Sequence, residues 1–186
     1  QYNSETKDIF KLQMDIAKNI ADKIQAVITP EEEERINKIP TDNLIAYDYY
    51  LKGRDVMHNL NRESWEEAIT YFEKAIEHDD EFAHAYANIA IAYYLLDFFR
   101  AEKIYSEQIN NYSDKALSLD SKLPESLVAK AFFYMHNGEI DMAISYLEKA
   151  LLYNPNSSLV INTLSDIYAK RRPNTEKYLE YALKGI

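Results

Sequence analysis

PESLVAKAFFYMHNGEIDMAISYLEKALLYNPNS, residues 124–157, holds two apolar phrases parted by one turn, and reading it decides the fold. Small residues stand where two helices must touch: Ala131, Ala143 and Ala150. Bulky ones fill the gaps between them: Leu127, Tyr134 and Leu147. Gly138 falls at the turn and Pro155 closes the unit. Such a helix–turn–helix brick cannot bury its apolar face alone and must stack on others of its kind. The expected fold class is therefore all-α, an α-solenoid of antiparallel helix pairs.

The same spacing recurs on both sides. Upstream, Tyr49 and Gly53 mark a first helix, and Ala68, Phe72 and Ala75 its partner. The next unit opens at Ala83 with Tyr86, Ile89, Ala90 and Tyr93 in register. Its second helix arrives seven residues late, at Ala116. Seven residues is close to two helical turns, so the spacing predicts longer helices with unrotated faces, the second helix two turns longer than its counterparts. A last unit begins near Ser158, with Leu164, Ser165 and Tyr168, then Leu179 and Ala182. Ala75, Ala116, Ala150 and Ala182 thus share one position, and Gly53, Ala90, Ala131 and Ser165 another. Small side chains there let helices approach to roughly 8–10 Å between axes.

On these residues the chain resembles tetratricopeptide repeat proteins from about Asn43 to Ile186. Only residues 124–157 follow that pattern without insertion or deletion. The expected division is a helical linker over 1–42 and an array of about four repeats over 43–186, bounded at 43–82, 83–123, 124–157 and 158–186.

Ahead of the array, Phe10, Met14, Ala17, Ala21, Ile24 and Ile28 recur at helical spacing, with Lys7, Asp15, Lys18, Asp22 and Lys23 opposite. This predicts one helix over about 5–28. Thr29-Pro30-Glu31-Glu32 restarts the chain as a capping box with proline at the first helical position, predicting a second over 30–38. Pro40 ends it. Ser64 and Glu67 read as a capping box inside the first repeat.

The leading segment has a likeness of its own. Tyr2-Asn3-Ser4-Glu5-Thr6-Lys7-Asp8-Ile9-Phe10, Leu12-Gln13 and Ile16-Ala17 are similar to the end of the TolB-like region of multidomain bacterial regulators. So are Thr29 to Glu32, Pro40-Thr41-Asp42-Asn43, Ala46-Tyr47-Asp48, Tyr50-Leu51 and Gly53, in that order. The resemblance implies a parent protein whose output lies upstream: a nucleotide cyclase, a helix-turn-helix DNA-binding domain or a membrane anchor. It implies a signalling or transcription-regulator context, in which this chain is an excised piece. The expected location is cytoplasmic, or periplasmic where a membrane anchor precedes it.

Composition narrows the chemistry. A net charge of −10 argues against nucleic-acid contact, which needs clustered Lys and Arg. No apolar run is long enough for membrane insertion. The chain has no Cys, which removes disulfides and thiolate chemistry, and three scattered Gly cannot form a phosphate loop. His78-Asp79-Asp80-Glu81 with His84 is the densest set of metal-ligand types. It falls where repeats turn into one another, so the structural reading outweighs the metal one. Lys170-Arg171-Arg172 before Pro173 reads as a solvated corner. No catalytic residue, metal site or cofactor is expected, and no enzyme.

Binding remains. In the resembling family the first helix of each pair lines the concave surface. Here that predicts a partner-binding groove of Tyr47, Tyr50, Arg54, Met57 and His58, then His84, Asn88, Ile91 and Tyr94, then Val128, Phe132, Met135 and His136. Aromatic, Met and Arg side chains suit binding hot spots. The alternative for each is packing between neighbouring helices, which is expected to take about half. Arg54 and Asn88 match parts of the clamp with which relatives grip acidic tails, but Tyr50 and Ala129 replace others. The expected function is a protein-interaction or sensory module with a protein or peptide in the groove. The alternatives are a dimerisation module or a small-molecule effector domain. Tyr178, Leu179, Tyr181, Ala182 and Ile186 on the last helix predict further repeats in the parent and self-association through this helix.

Overall fold

The computed structural model describes residues 2–24, 33, 37–98 and 100–185. Among them there is no strand. Helix α1 (Tyr2–Lys23) leads, and four antiparallel pairs follow. They are α2 (Leu44–Met57) with α3 (Arg62–His78), α4 (Ala83–Phe98) with α5 (Ser106–Leu119), and α6 (Pro124–His136) with α7 (Ile140–Tyr153). The last is α8 (Ser158–Asp166), continued by a π-helical turn (Ile167–Arg171), with α9 (Thr175–Lys184). The all-α solenoid read from residues 124–157 is the observed fold. The second leading helix expected over 30–38 lies largely outside the described residues.

Polar side chains set the helix ends. Asn43 Oδ1 accepts from the N–H groups of Ile45 at 3.0 Å and Ala46 at 3.1 Å, and Asn174 Oδ1 from Lys177 N–H at 3.0 Å. At α3 the cap is Asn61, whose Oδ1 accepts from Ser64 N–H at 2.9 Å. The expected capping box at Ser64 is corrected accordingly: the cap falls three residues earlier, and Ser64 is buried inside the first turn of α3.

The turns between pairs repeat in detail. Asp79 and Asp120 follow α3 and α5 with nearly identical backbones, φ −148° and ψ 98° against φ −148° and ψ 97°. Each uses Oδ1 to cap the next turn: Asp79 accepts from Glu81 N–H at 3.0 Å, Asp120 from Lys122 and Leu123 N–H at 3.1 Å. Within a pair, Gly138 (φ +79°) makes the α6–α7 turn, and Glu139 N–H closes it on the Tyr134 carbonyl at 2.9 Å. In the first pair the left-handed residue is Leu60, at φ +53°.

Helix α4 lies at the centre. Ten of its sixteen residues are buried, which suits a sequence apolar on all sides. One core gathers on α2, α3 and α4, another on α4 through α9, and Met57, Tyr93, Leu95, Tyr105 and Tyr112 pack against both. The register positions of the first three pairs behave as their size requires, whereas Ser165 and Ala182 in the last pair are only half-buried. Ala75, Ala116 and Ala150 are fully buried, as are Ala90 and Ala131. At Gly53 a Cβ would stand 2.6 Å from Phe72 Cε1, inside any real contact.

The seven late residues do not lengthen the second unit's partner helix. Helix α5 has 14 residues, equal to α7 and shorter than the 17 of α3. Helix α4, at 16, is only slightly longer than α2 at 14 and α6 at 13, and the rest becomes the connection between Phe98 and Ser106. Asp97 causes this. Its carboxylate, fully buried at the end of α4, accepts through Oδ2 from the N–H groups of Ile104 at 2.9 Å and Tyr105 at 2.8 Å, so the chain turns back before another helical turn can form.

Candidate functional site

Helices α2, α4 and α6 carry the expected groove positions in a common register. Tyr47, His84 and Glu125 each stand six residues before the buried Gly53, Ala90 and Ala131. Behind them lies an aromatic floor. Tyr50 meets Phe82 at 5.0 Å, Phe72 at 5.8 Å and His84 at 5.9 Å between ring centroids. Tyr94 stacks on Phe132 at 4.4 Å. Tyr50, Ile91, Tyr94, Val128, Phe132 and Met135 are all buried, so helix packing takes these members of the expected groove.

Most of the other expected groove residues are accessible. Arg54 and His58 are exposed, and Tyr47, Met57, His84 and Asn88 are half-buried. The Arg54 guanidinium lies 5.9 Å from the Tyr50 ring centroid, within cation–π range. Burial pushes the Tyr50 phenol up from its ordinary value, against the pull of Arg54. Burial likewise holds the His84 imidazole below its ordinary value, against the carboxylates of Glu125 and Asp120. Asn88 Nδ2 donates to the His84 carbonyl at 2.8 Å, leaving its own oxygen for other partners. The accessible positions thus offer a guanidinium, two imidazoles and an amide over stacked rings.

His136 behaves differently from its expected neighbours. Its ring is almost wholly buried, and Nε2 lies 2.9 Å from Asp97 Oδ2. The Arg100 guanidinium stands 3.7 Å from Asp97 Oδ1, and the Lys103 ammonium donates to the Asp97 carbonyl. Burial alone would raise the Asp97 carboxyl, but the Tyr105 N–H, the His136 ring and the Ile104 N–H outweigh it and hold it below the ordinary range. The pair has the look of two members of a nucleophilic triad. Yet His136 Nδ1 is buried with no hydrogen-bond partner among the described residues, so no hydroxyl stands where a nucleophile would have to be. Its role is to fasten α4, α5 and α6 together.

The other polar sets are equally committed. Asp79 is taken up by Glu81 N–H and the Thr41 hydroxyl, and His78 stacks on Tyr49 at 5.6 Å. Among the described residues no cluster of three or more His, Asp or Glu has a metal-binding arrangement. At the basic corner Arg172 reaches Asp141 at 3.5 Å and Lys170 pairs with Asp166 one turn back. No helix among the described residues is long and apolar enough to cross a membrane.

Two neighbours of these positions were missed from sequence. Glu125 could have been found by register, because it aligns with Tyr47 and His84. Phe10 could not, because its contact with Tyr47, at 4.7 Å between centroids, joins residues far apart in the chain and leaves no local pattern.

Comparison with known proteins agrees with the repeat reading. Residues 124–157 match the tetratricopeptide repeat model, the same stretch that the sequence alone singles out. The chain is similar to photosystem I assembly protein Ycf3 of Prochlorococcus marinus, with 37% identity over 75 residues in strain MIT 9301 and 36% over 75 residues in strain MIT 9312. Each match covers 39% of this chain and 43% of the relative, so the chain spans less than half the length of the curated relatives it matches. In fold it is similar to the crystal structure of MamA protein, with a TM-score of 0.51 at 19% identity over 98% of this chain and 91% of that one.

Proposed function

We propose that this chain is a non-catalytic protein-interaction module whose concave face receives a peptide or helix of a partner protein. The observation that carries this reading is the division of polar groups. The buried pairs fasten helices, whereas Arg54, His84 and Asn88 stay accessible above an aromatic floor. Large rings backed by a few well-placed polar groups are what recognition sites concentrate. The naming of the relatives as assembly proteins fits a scaffold of this kind. The TolB-like likeness of the leading segment supports a place in a larger bacterial signalling or transcription regulator. Self-association is a second reading: α9 leaves Leu179 and Leu183 exposed, and light scattering of Leu179→Glu/Leu183→Glu should show a smaller species than wild type.

A photo-crosslinking amino acid tests the groove directly. Placed at Asn88 in the source cells it should trap a discrete partner, and at Ser145, exposed on α7, it should not. Equal trapping at both positions, or none at Asn88, would sink the reading.

A further inference from the structure

Helix α1 carries three large aliphatic side chains in solvent, Leu12 (61% exposed), Ile16 (50%) and Ile20 (54%), and Ile24 (70%) follows in the turn at its end. Phe10 is the contrast, at 4%. Its ring sits edge-on to Tyr47, with an interplanar angle of 65°, and Tyr47 in turn stacks towards Tyr50 at 6.2 Å. Tyr47 is the first concave position, in register with His84 and Glu125. One end of the groove therefore already holds an aromatic ring delivered by a helix.

The fastening of this helix is uneven. Residues 41–43 are firmly placed: Thr41 is buried with its hydroxyl on Asp79, and Asn43 Nδ2 donates to the His78 carbonyl at 2.8 Å. Further out, Lys38 pairs with the half-buried Asp120, and Lys18 of α1 pairs with Glu33 at 3.2 Å with both partners exposed, a kind of pair that holds weakly. Among the described residues the Phe10 ring is a buried aromatic contact of α1 with the repeats, and it belongs to neither repeat core, so its release leaves those cores intact.

We infer that the first concave position recognises an aromatic side chain presented on an amphipathic helix, and that α1 occupies it in cis until a partner helix of that kind displaces it. This rests on the groove reading above and adds the partner's chemistry and a competitor for it. A cis occupant lowers apparent affinity by the fraction of time it holds the site.

The probe is a fluorescein-labelled synthetic peptide of residues 2–24, titrated into the full chain and followed by anisotropy. The Phe10→Asp chain should bind it at least about tenfold more tightly than wild type, because its own occupant is repelled. The same peptide carrying Phe10→Ala should lose that advantage. As a control independent of any charge placed on α1, Phe10→Cys and Tyr47→Cys joined by a short bismaleimide should bind less peptide than the same double-cysteine chain left unlinked, while circular dichroism stays native. The chain's lack of other cysteines makes that link specific. Equal peptide binding by wild type and the Phe10→Asp chain would overturn the inference, as would equal binding by the linked and unlinked chains or indifference to the peptide's phenylalanine. Cross-linking at Asn88 separates the two claims. A partner trapped there in unchanged yield by the Phe10→Asp chain keeps the groove and overturns the cis occupant. The expected peptide results with no partner at Asn88 keep the occupant and remove the groove reading.

Discussion

Asp97 shows how one side chain replaces an entire element of the repeat pattern. Its carboxylate gathers the N–H groups of Ile104 and Tyr105 and the ring of His136, all within 2.9 Å. Asp97→Ala leaves those buried donors unpaired, at a cost of about 1–3 kcal/mol for each one unsatisfied. Urea unfolding should register that loss, and amide exchange at Ile104 and Tyr105 should quicken. The pH dependence has a definite sign. The folded carboxyl lies below its ordinary value, so its stabilisation is complete above the unfolded value of about 3.9 and fades as pH falls through the folded one. The gap between wild type and Asp97→Ala should be full at pH 7 and shrink below about pH 4. Gly53 makes the opposite point, that an absent side chain can be structural. In an open helix Gly→Ala gains roughly 0.5–1 kcal/mol. Here the new Cβ meets the Phe72 ring at 2.6 Å, and that ring is fully buried. Overpacking costs about 1–3 kcal/mol, so Gly53→Ala should lower the thermal midpoint.

Elements follow from local chemistry where the sequence carries a local signal, and depart from it where the decisive contact is distant. The α6–α7 pair was legible because Gly138 supplies the left-handed turn and alanines mark both seams. The first pair lacks that glycine and places Leu60 at φ +53° with its side chain 75% exposed. A left-handed conformation costs an L-residue roughly 1–2 kcal/mol, while glycine's extra entropy takes back about 0.5–1. With no burial to lose, Leu60→Gly should stabilise the chain by roughly 0.5–1 kcal/mol in urea unfolding, and an unchanged or lower midpoint would contradict this. The late second unit misled for a physical reason. Two added turns keep a helix's faces aligned, but they also need something to pack against. Asp97 offers the chain a hydrogen-bonded return instead, and an aspartate's partners seven and eight residues on leave no periodic trace. Similarly, Ser64 and Glu67 imitate a cap, but Asn61 makes it, since a capping box and a plain asparagine cap compete within three residues.

Across the whole molecule, the solenoid sorts its aromatic side chains into seams and surface, and that sorting decides which substitutions report on binding. Register alone placed Tyr50, Arg54 and Tyr94 among the expected groove positions. Register gives direction but not depth: Tyr50 is wedged among Phe72, Phe82 and His84, and Tyr94 is stacked on Phe132, so both are core. Removing a ring of that size from a packed seam costs about 3–5 kcal/mol. Arg54 stands in solvent over the Tyr50 ring, and an exposed substitution of that kind usually stays within about 0.5 kcal/mol of wild type. The three variants should therefore separate in paired measurements of urea midpoint and affinity for the partner trapped at Asn88. Tyr50→Ala and Tyr94→Ala should lower the midpoint sharply, and their folded fraction should bind through an altered groove. Arg54→Ala should keep its midpoint and lose about 1–3 kcal/mol of binding, the range of a hot-spot side chain. Should Arg54→Ala bind its partner at full strength with its fold intact, the cation over the aromatic floor has no part in recognition, and the accessible groove reduces to His84, Asn88 and the ring of Tyr47.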